Sequence, residues 1–160
     1  MSEETTPVSQ IHVFTDTGPA QLAAMRKIFT PVLVPLFEAM VYAMASKTAK
    51  NYDGGIWTLV TNEEGTAGFI FPAVDDQTTY DVAVDTNYYT NATMDPVSFG
   101  AAVSLTAINH ISWMMAESQQ NNEDVVAMYY NMRNFVFDLS EGQYDTSLTL
   151  NGAEVARYID

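Results

Sequence analysis

The stretch Asn51 to Pro72 constrains this chain most, because a long helical pattern ends there and a strand pattern begins. At the boundary stand Gly54 and Gly55. Without a Cβ, both can take the positive φ that a chain reversing from a helix into a strand requires. Two strands follow, Ile56 to Thr61 and Ala67 to Phe71, joined by Asn62-Glu63-Glu64-Gly65, a loop with a glycine where a longer hairpin needs one. The two-residue period puts Trp57 and Leu59 on one side of the first strand, and Phe69 and Phe71 on one side of the second.

Before this boundary, Ile11 to Phe14 alternates weakly and reads as a short strand or an extended arm. Thr17-Gly18-Pro19 turns into a helix carrying Leu22, Met25, Ile28 and Phe29, and Thr30-Pro31 ends it. A second helix starts at Pro31 or Pro35 and runs to about Lys50, since Leu33, Leu36, Phe37, Met40, Val41 and Met44 keep helical spacing. Beyond the hairpin, Tyr80, Val82 and Val84 alternate with Asp81, Ala83 and Asp85, which predicts a third strand with one wet face. Asn87 to Met94 reads as a polar loop. Asp95-Pro96 then supplies an N-cap and a first-turn proline for a helix reaching about Glu117, apolar on nearly all sides and about 33 Å long. Asn122 is placed to cap a further helix with Val125, Met128, Met132, Phe135, Val136 and Leu139 on one face, and Gly142 closes it. The tail holds an alternating run, Ser147 to Leu150, then Asn151-Gly152 and a last helical turn or two. The expected fold is α+β: a small antiparallel sheet of about three strands in a meander, packed with four or five helices.

At 160 residues, 48% of them hydrophobic, one domain with a real core is expected, with residues 1–10 a flexible segment and 11–160 the domain. The chain has no cysteine, which removes disulfides, thiolate metal sites and cysteine nucleophiles. Met1 to Gln10 is polar and lacks a basic-then-apolar signal pattern, and charges, prolines or polar side chains break the most apolar runs. A cytoplasmic protein with no membrane partner is the expectation. His12 and His110 are the two histidines and have no metal-ligand spacing. The acids Asp75, Asp76, Asp81 and Asp85 lack the glycine and terminal glutamate of a calcium loop. No phosphate-cradling, dinucleotide or nucleophile-elbow motif is present, so neither catalytic residues nor cofactors are expected.

Net charge is −14, and no Lys or Arg falls between Lys50 and Arg133, where eleven acids lie. Direct nucleic-acid binding through that region is disfavoured. Two readings of it stand: a solubilising surface, or a surface that meets a basic partner.

Tyr52-Asp53-Gly54-Gly55-Ile56-Trp57, preceded by Phe37-Glu38 and Val41-Tyr42 on a helix and followed by a hairpin ending in Pro72, resembles the signature of the ArdB/KlcA family of antirestriction proteins. Met94 to Val103, Tyr129 to Phe135 and the closing Tyr158-Ile159-Asp160 resemble family segments in the same order. Set against that resemblance, the connection Gly142 to Asn151 is longer than the family's usual one, and the N-terminal region lacks the Arg that the resemblance implies near Gln21. The resemblance implies a bacterial, phage or plasmid protein that relieves type I restriction of incoming unmodified DNA and has no catalytic residues. The partner it implies is a type I restriction-modification enzyme or an associated host factor. The rival function is an acidic interaction or DNA-mimic module that binds a basic DNA-handling protein. As a phosphate mimic, 14 charges at one per ~1.7 Å of axis would cover only about 24 Å, roughly seven base pairs. Tyr52, Gly54, Gly55 and Trp57 have structural readings first, the glycines for the turn and the tryptophan for the core. Asp75, Asp76, Asp81, Asp85, Tyr88 and Tyr89 are the candidates for partner contact.

Overall fold

The structure is a computed structural model that describes residues 9–15, 18–75, 77–84 and 89–160, without the side chains of 89–91. Nine elements follow in order: β1 (Ile11–Val13), α1 (Pro19–Thr48), β2 (Trp57–Asn62), β3 (Gly68–Pro72), β4 (Tyr80–Val84), β5 (Tyr89–Met94), α2 (Pro96–Glu117), α3 (Glu123–Ser140) and α4 (Gly152–Ile159). This is the α+β class, with one correction to the sheet. The three-stranded antiparallel sheet is β1-β2-β3, so its third strand precedes α1, whereas β4 pairs with β5 in a separate hairpin. Asn87 to Met94, read as a loop, contributes that missing strand: from Tyr89 onward it pairs with β4, Tyr80 opposite Met94 and Val82 opposite Ala92. Its polar Thr90, Asn91 and Thr93 hid it, because pairing with a neighbour rather than apolar alternation stabilises it.

α1 is two helical segments joined at a kink. Thr30 has φ 68° and ψ 151°, and Pro31, which has no N–H to lose, begins the next segment. By length and composition α1 is apolar enough to cross a membrane, a test that the core helix of a soluble protein also passes. Its Phe29, Phe37, Val41 and Ala45 are fully buried in the core.

Buried polar side chains join the helices to the sheet. Gln21 of α1 donates from Nε2 to the Trp57 carbonyl (3.2 Å) and accepts from the Leu59 N–H at Oε1 (3.2 Å), completing the edge of β2 where β1 has ended. At the other edge, α2 covers β3. The Ile70 N–H and C=O both engage the Ser104 hydroxyl, at 3.2 and 3.1 Å. That approach depends on Gly100, since a Cβ there would lie 2.3 Å from Phe71 Cα. α2 is therefore the central helix, buried from Phe99 to Leu105 and again at Ala107 and Ile108, and packed on β3, α1, α3 and α4. The Asp95 carboxylate caps it, accepting from the Ser98 N–H at 3.0 Å and the Ser98 hydroxyl at 2.6 Å. Asn151 caps α4 in the same way, accepting from the Glu154 N–H.

Asn122 departs from expectation. It occupies the position before α3, but its side chain makes no cap. Its Nδ2 donates instead to the Ser112 carbonyl (2.9 Å) and straps α2 to α3.

The β4-β5 hairpin attaches to the end of α1. Lys50 N–H donates to the Asp81 carbonyl (3.1 Å), Asn51 Nδ2 to the Thr79 carbonyl (2.8 Å), and Asp81 N–H returns to Asn51 Oδ1 (2.9 Å). The glycine turn after Asn51 is thus held from both sides.

Candidate functional site

The Tyr52 to Trp57 segment runs from that attachment into β2. Gly54 and Gly55 have φ of 96° and 112°, and a Cβ on either would meet nothing within 4 Å. Conformation, rather than lack of space, requires glycine at both. Trp57 is 3% exposed and its indole N–H donates to the Tyr52 hydroxyl at 3.1 Å. Tyr42 and Tyr52 each meet the indole edge-on, with ring centroids 5.9 Å away, and Phe99 lies beyond it at 6.3 Å. The motif is therefore one half of an aromatic cluster whose other half comes from α1 and α2.

Outside this cluster lies a shallow cavity of about 530 Å³, lined by Tyr42, Ser46 and Tyr52 to Gly55. Glu38, Tyr42 and Ser46 recur every four residues on one face of α1. The Tyr42 hydroxyl donates to Glu38 Oε2 at 3.3 Å. Burial, and then the Glu38 carboxylate, push the Tyr42 phenol up to about 12. It stays protonated at neutral pH and acts as a hydrogen-bond donor.

The residues expected to contact a partner are only partly placed. Asp75 is exposed in the connection between β3 and β4, where its Oδ1 accepts from the Gln77 N–H (2.8 Å) in a side-chain turn. Asp81 is exposed on β4. Tyr89 begins β5, opposite Val84, and its side chain lies outside the described residues, as do Asp76, Asp85 and Tyr88 altogether. His12 is exposed and stacks on Phe14 at 4.0 Å; His110 is exposed on α2. Among the described residues no group of three or more His, Cys, Asp or Glu side chains is arranged to hold a metal.

Among the described residues the most exposed large aromatics are two that their sequence context did not single out. Trp113 is 63% exposed and Tyr130 56%. They flank a groove of about 210 Å³ between the end of α2 and the start of α3. The signal was present in the spacing: His110, Trp113 and Glu117 share one face of α2, so the tryptophan stands in a polar stripe. The apolar appearance of α2 as a whole concealed it.

A family model described as "Antirestriction protein" matches residues 50–144, more than half of the chain. No curated protein matches it. A solved structure matches over 100% of both chains with a TM-score of 0.71 at 20% sequence identity. That structure is described as one of the KlcA and ArdB proteins, with a novel fold and antirestriction activity against type I DNA restriction systems in vivo but not in vitro. The two chains share a fold, and the matched segment holds the glycine turn, both β-hairpins, α2 and α3. The chain belongs to the antirestriction protein family.

Proposed function

We propose that this protein relieves type I restriction of incoming unmodified DNA in the cytoplasm of a bacterial host. It does so by contact with a restriction-modification enzyme or an associated host factor, and not by catalysis. The observation that carries this reading is the end-to-end likeness to the KlcA and ArdB fold in a chain of the antirestriction family. For that relative, activity is described in vivo and not in vitro. An inhibitor that needs a further cellular component would behave in that way. Residues 11–160 form the acting domain in this reading. The acidic middle of the chain raises the rate of encounter with a basic surface, and exposed aromatic side chains supply short-range affinity.

The test is the plating efficiency of unmodified phage on cells carrying a type I system, with and without this protein, beside a strain lacking restriction. A rise confined to the restricting strain is expected. No rise, with the protein soluble and folded in those cells, would remove the reading. The net charge of −14 favours one alternative, a module binding a basic DNA-handling protein unrelated to restriction. Co-purification of such a protein, lost steeply as salt increases, would mark it.

A further inference from the structure

We propose that the groove between α2 and α3 is the docking site for an arginine-bearing segment of the protein partner. This inference rests on the protein-contact reading above and gives that contact a place. Trp113 and Tyr130 stand on the rim at 63% and 56% exposure, although burying a large aromatic is strongly favourable. Tyr129 and Val126 continue the lining. Trp, Tyr and Arg dominate the energetics of protein interfaces, and a partner seated in this concavity would desolvate both exposed rings.

The chemistry around the groove selects the occupant. Glu117 lies one turn beyond Trp113 on the same face of α2, and Glu123 lies on the face of α3 that carries Val126 and Tyr130. Both are exposed, and neither is ion-paired among the described residues. The nearest cation in sequence, Arg133, is already engaged: its guanidinium lies 5.3 Å over the Phe137 ring and its Nη1 contacts the Tyr129 hydroxyl at 3.4 Å. Asn122 uses its Nδ2 on the Ser112 carbonyl, while among the described residues nothing donates to its Oδ1. Aromatic faces, an amide oxygen and flanking carboxylates are what a planar guanidinium stacks on and donates to. His110, one turn before Trp113, is the other titratable group on this face. A second copy of the chain is the poorer occupant, since it would bring another net charge of −14 to the same place.

The probe is an acetylated hexapeptide alternating arginine and leucine, with a glutamate-for-arginine peptide as control. The chain has two tryptophans, so its spectrum contains two indole N–H signals, assigned with Trp113→Phe. On titration into the full-length protein, the Trp113 signal is expected to move, less at higher salt, while the signal of buried Trp57 stays. The glutamate peptide should move neither. Equal shifts with both peptides, no shift, or a Trp113 signal that moves with protein concentration alone would each overturn the proposal, the last in favour of self-association. In cells, Trp113→Ala with Tyr130→Ala should cut the gain in phage plating by about tenfold or more, with thermal stability unchanged because both side chains are exposed. Full relief by that variant would overturn the groove as the contact site. If the unaltered protein gives no relief, the antirestriction reading falls, and the peptide titration still decides the groove.

Discussion

Thr30 has a backbone conformation, φ 68° and ψ 151°, that glycine adopts readily and a β-branched residue does not. It persists because residues on both sides are fixed: Phe29 is fully buried, and Pro31 starts a new helical segment. Such a conformation costs about 1–3 kcal/mol, whereas the added freedom of glycine in the unfolded chain costs up to about 1 kcal/mol. Thr30 is exposed, so its side chain contributes little packing. Thr30→Gly should therefore raise unfolding stability by about 1 kcal/mol, read as a higher urea midpoint at unchanged slope. An unchanged or lower midpoint would mean that the kink holds no strain. Thr30-Pro31 was legible in the sequence as a break, and Gly54-Gly55 as a turn, because both rest on local rules for proline and glycine. The positive φ at Thr30 was not, since no local preference produces it. Gln21 was equally invisible, because its role comes from two backbone groups 36 and 38 positions away.

Among the elements, the helices were the more legible part. Their apolar spacing and caps are local, and α2 begins and ends where Pro96 and Glu117 predict. β5 and the division into two sheets depended on long-range pairing, which periodicity alone does not encode. The candidate surface was hidden for a related reason: exposure of Trp113 reflects how α3 packs on α2, not the composition of either helix. α4 illustrates what such packing contributes. Its Tyr158 is 1% exposed and shares a 2.8 Å hydrogen bond with the Thr48 hydroxyl at the end of α1. Burial pushes the Tyr158 phenol up to about 12, against a smaller downward pull from Thr48. The folded value lies above the unfolded value of about 10, so its contribution is fully present below pH 10 and is lost as pH rises toward 12. A two-unit shift on so buried a group corresponds to about 2–3 kcal/mol. Urea unfolding between pH 8 and roughly 12 should show stability falling above pH 10, less steeply in Tyr158→Phe. Some slope should remain in the variant, because the Tyr42, Tyr80 and Tyr144 phenols are also raised. Identical slopes would mean that folding does not raise the Tyr158 phenol.

At the scale of the whole molecule, charge separates stability from function. Net charge is −14, and among the described residues the one ion pair is Arg157 with Glu154 at 3.8 Å. Repulsion between acids therefore opposes the compact state with little pairing to offset it, and added salt should screen that repulsion. Thermal midpoints should rise as sodium chloride is increased from low ionic strength, opposite to a protein held together by surface ion pairs. Neutralising Asp75, Asp76, Asp81 and Asp85 together, each to Asn, takes the net charge from −14 to −10. Asparagine at position 75 retains an oxygen that can accept from the Gln77 N–H, so the local turn survives. This variant should be more stable than the parent at low salt and less responsive to salt. If the same acids raise the rate of encounter with a basic partner, it should also relieve restriction less well, as lower phage plating at equal protein level. A gain in stability coupled to a loss of relief cannot come from misfolding, so it would assign the acidic surface to partner recognition. A gain in stability with relief unchanged would leave these four acids to solubility and move recognition to surfaces such as the α2–α3 groove.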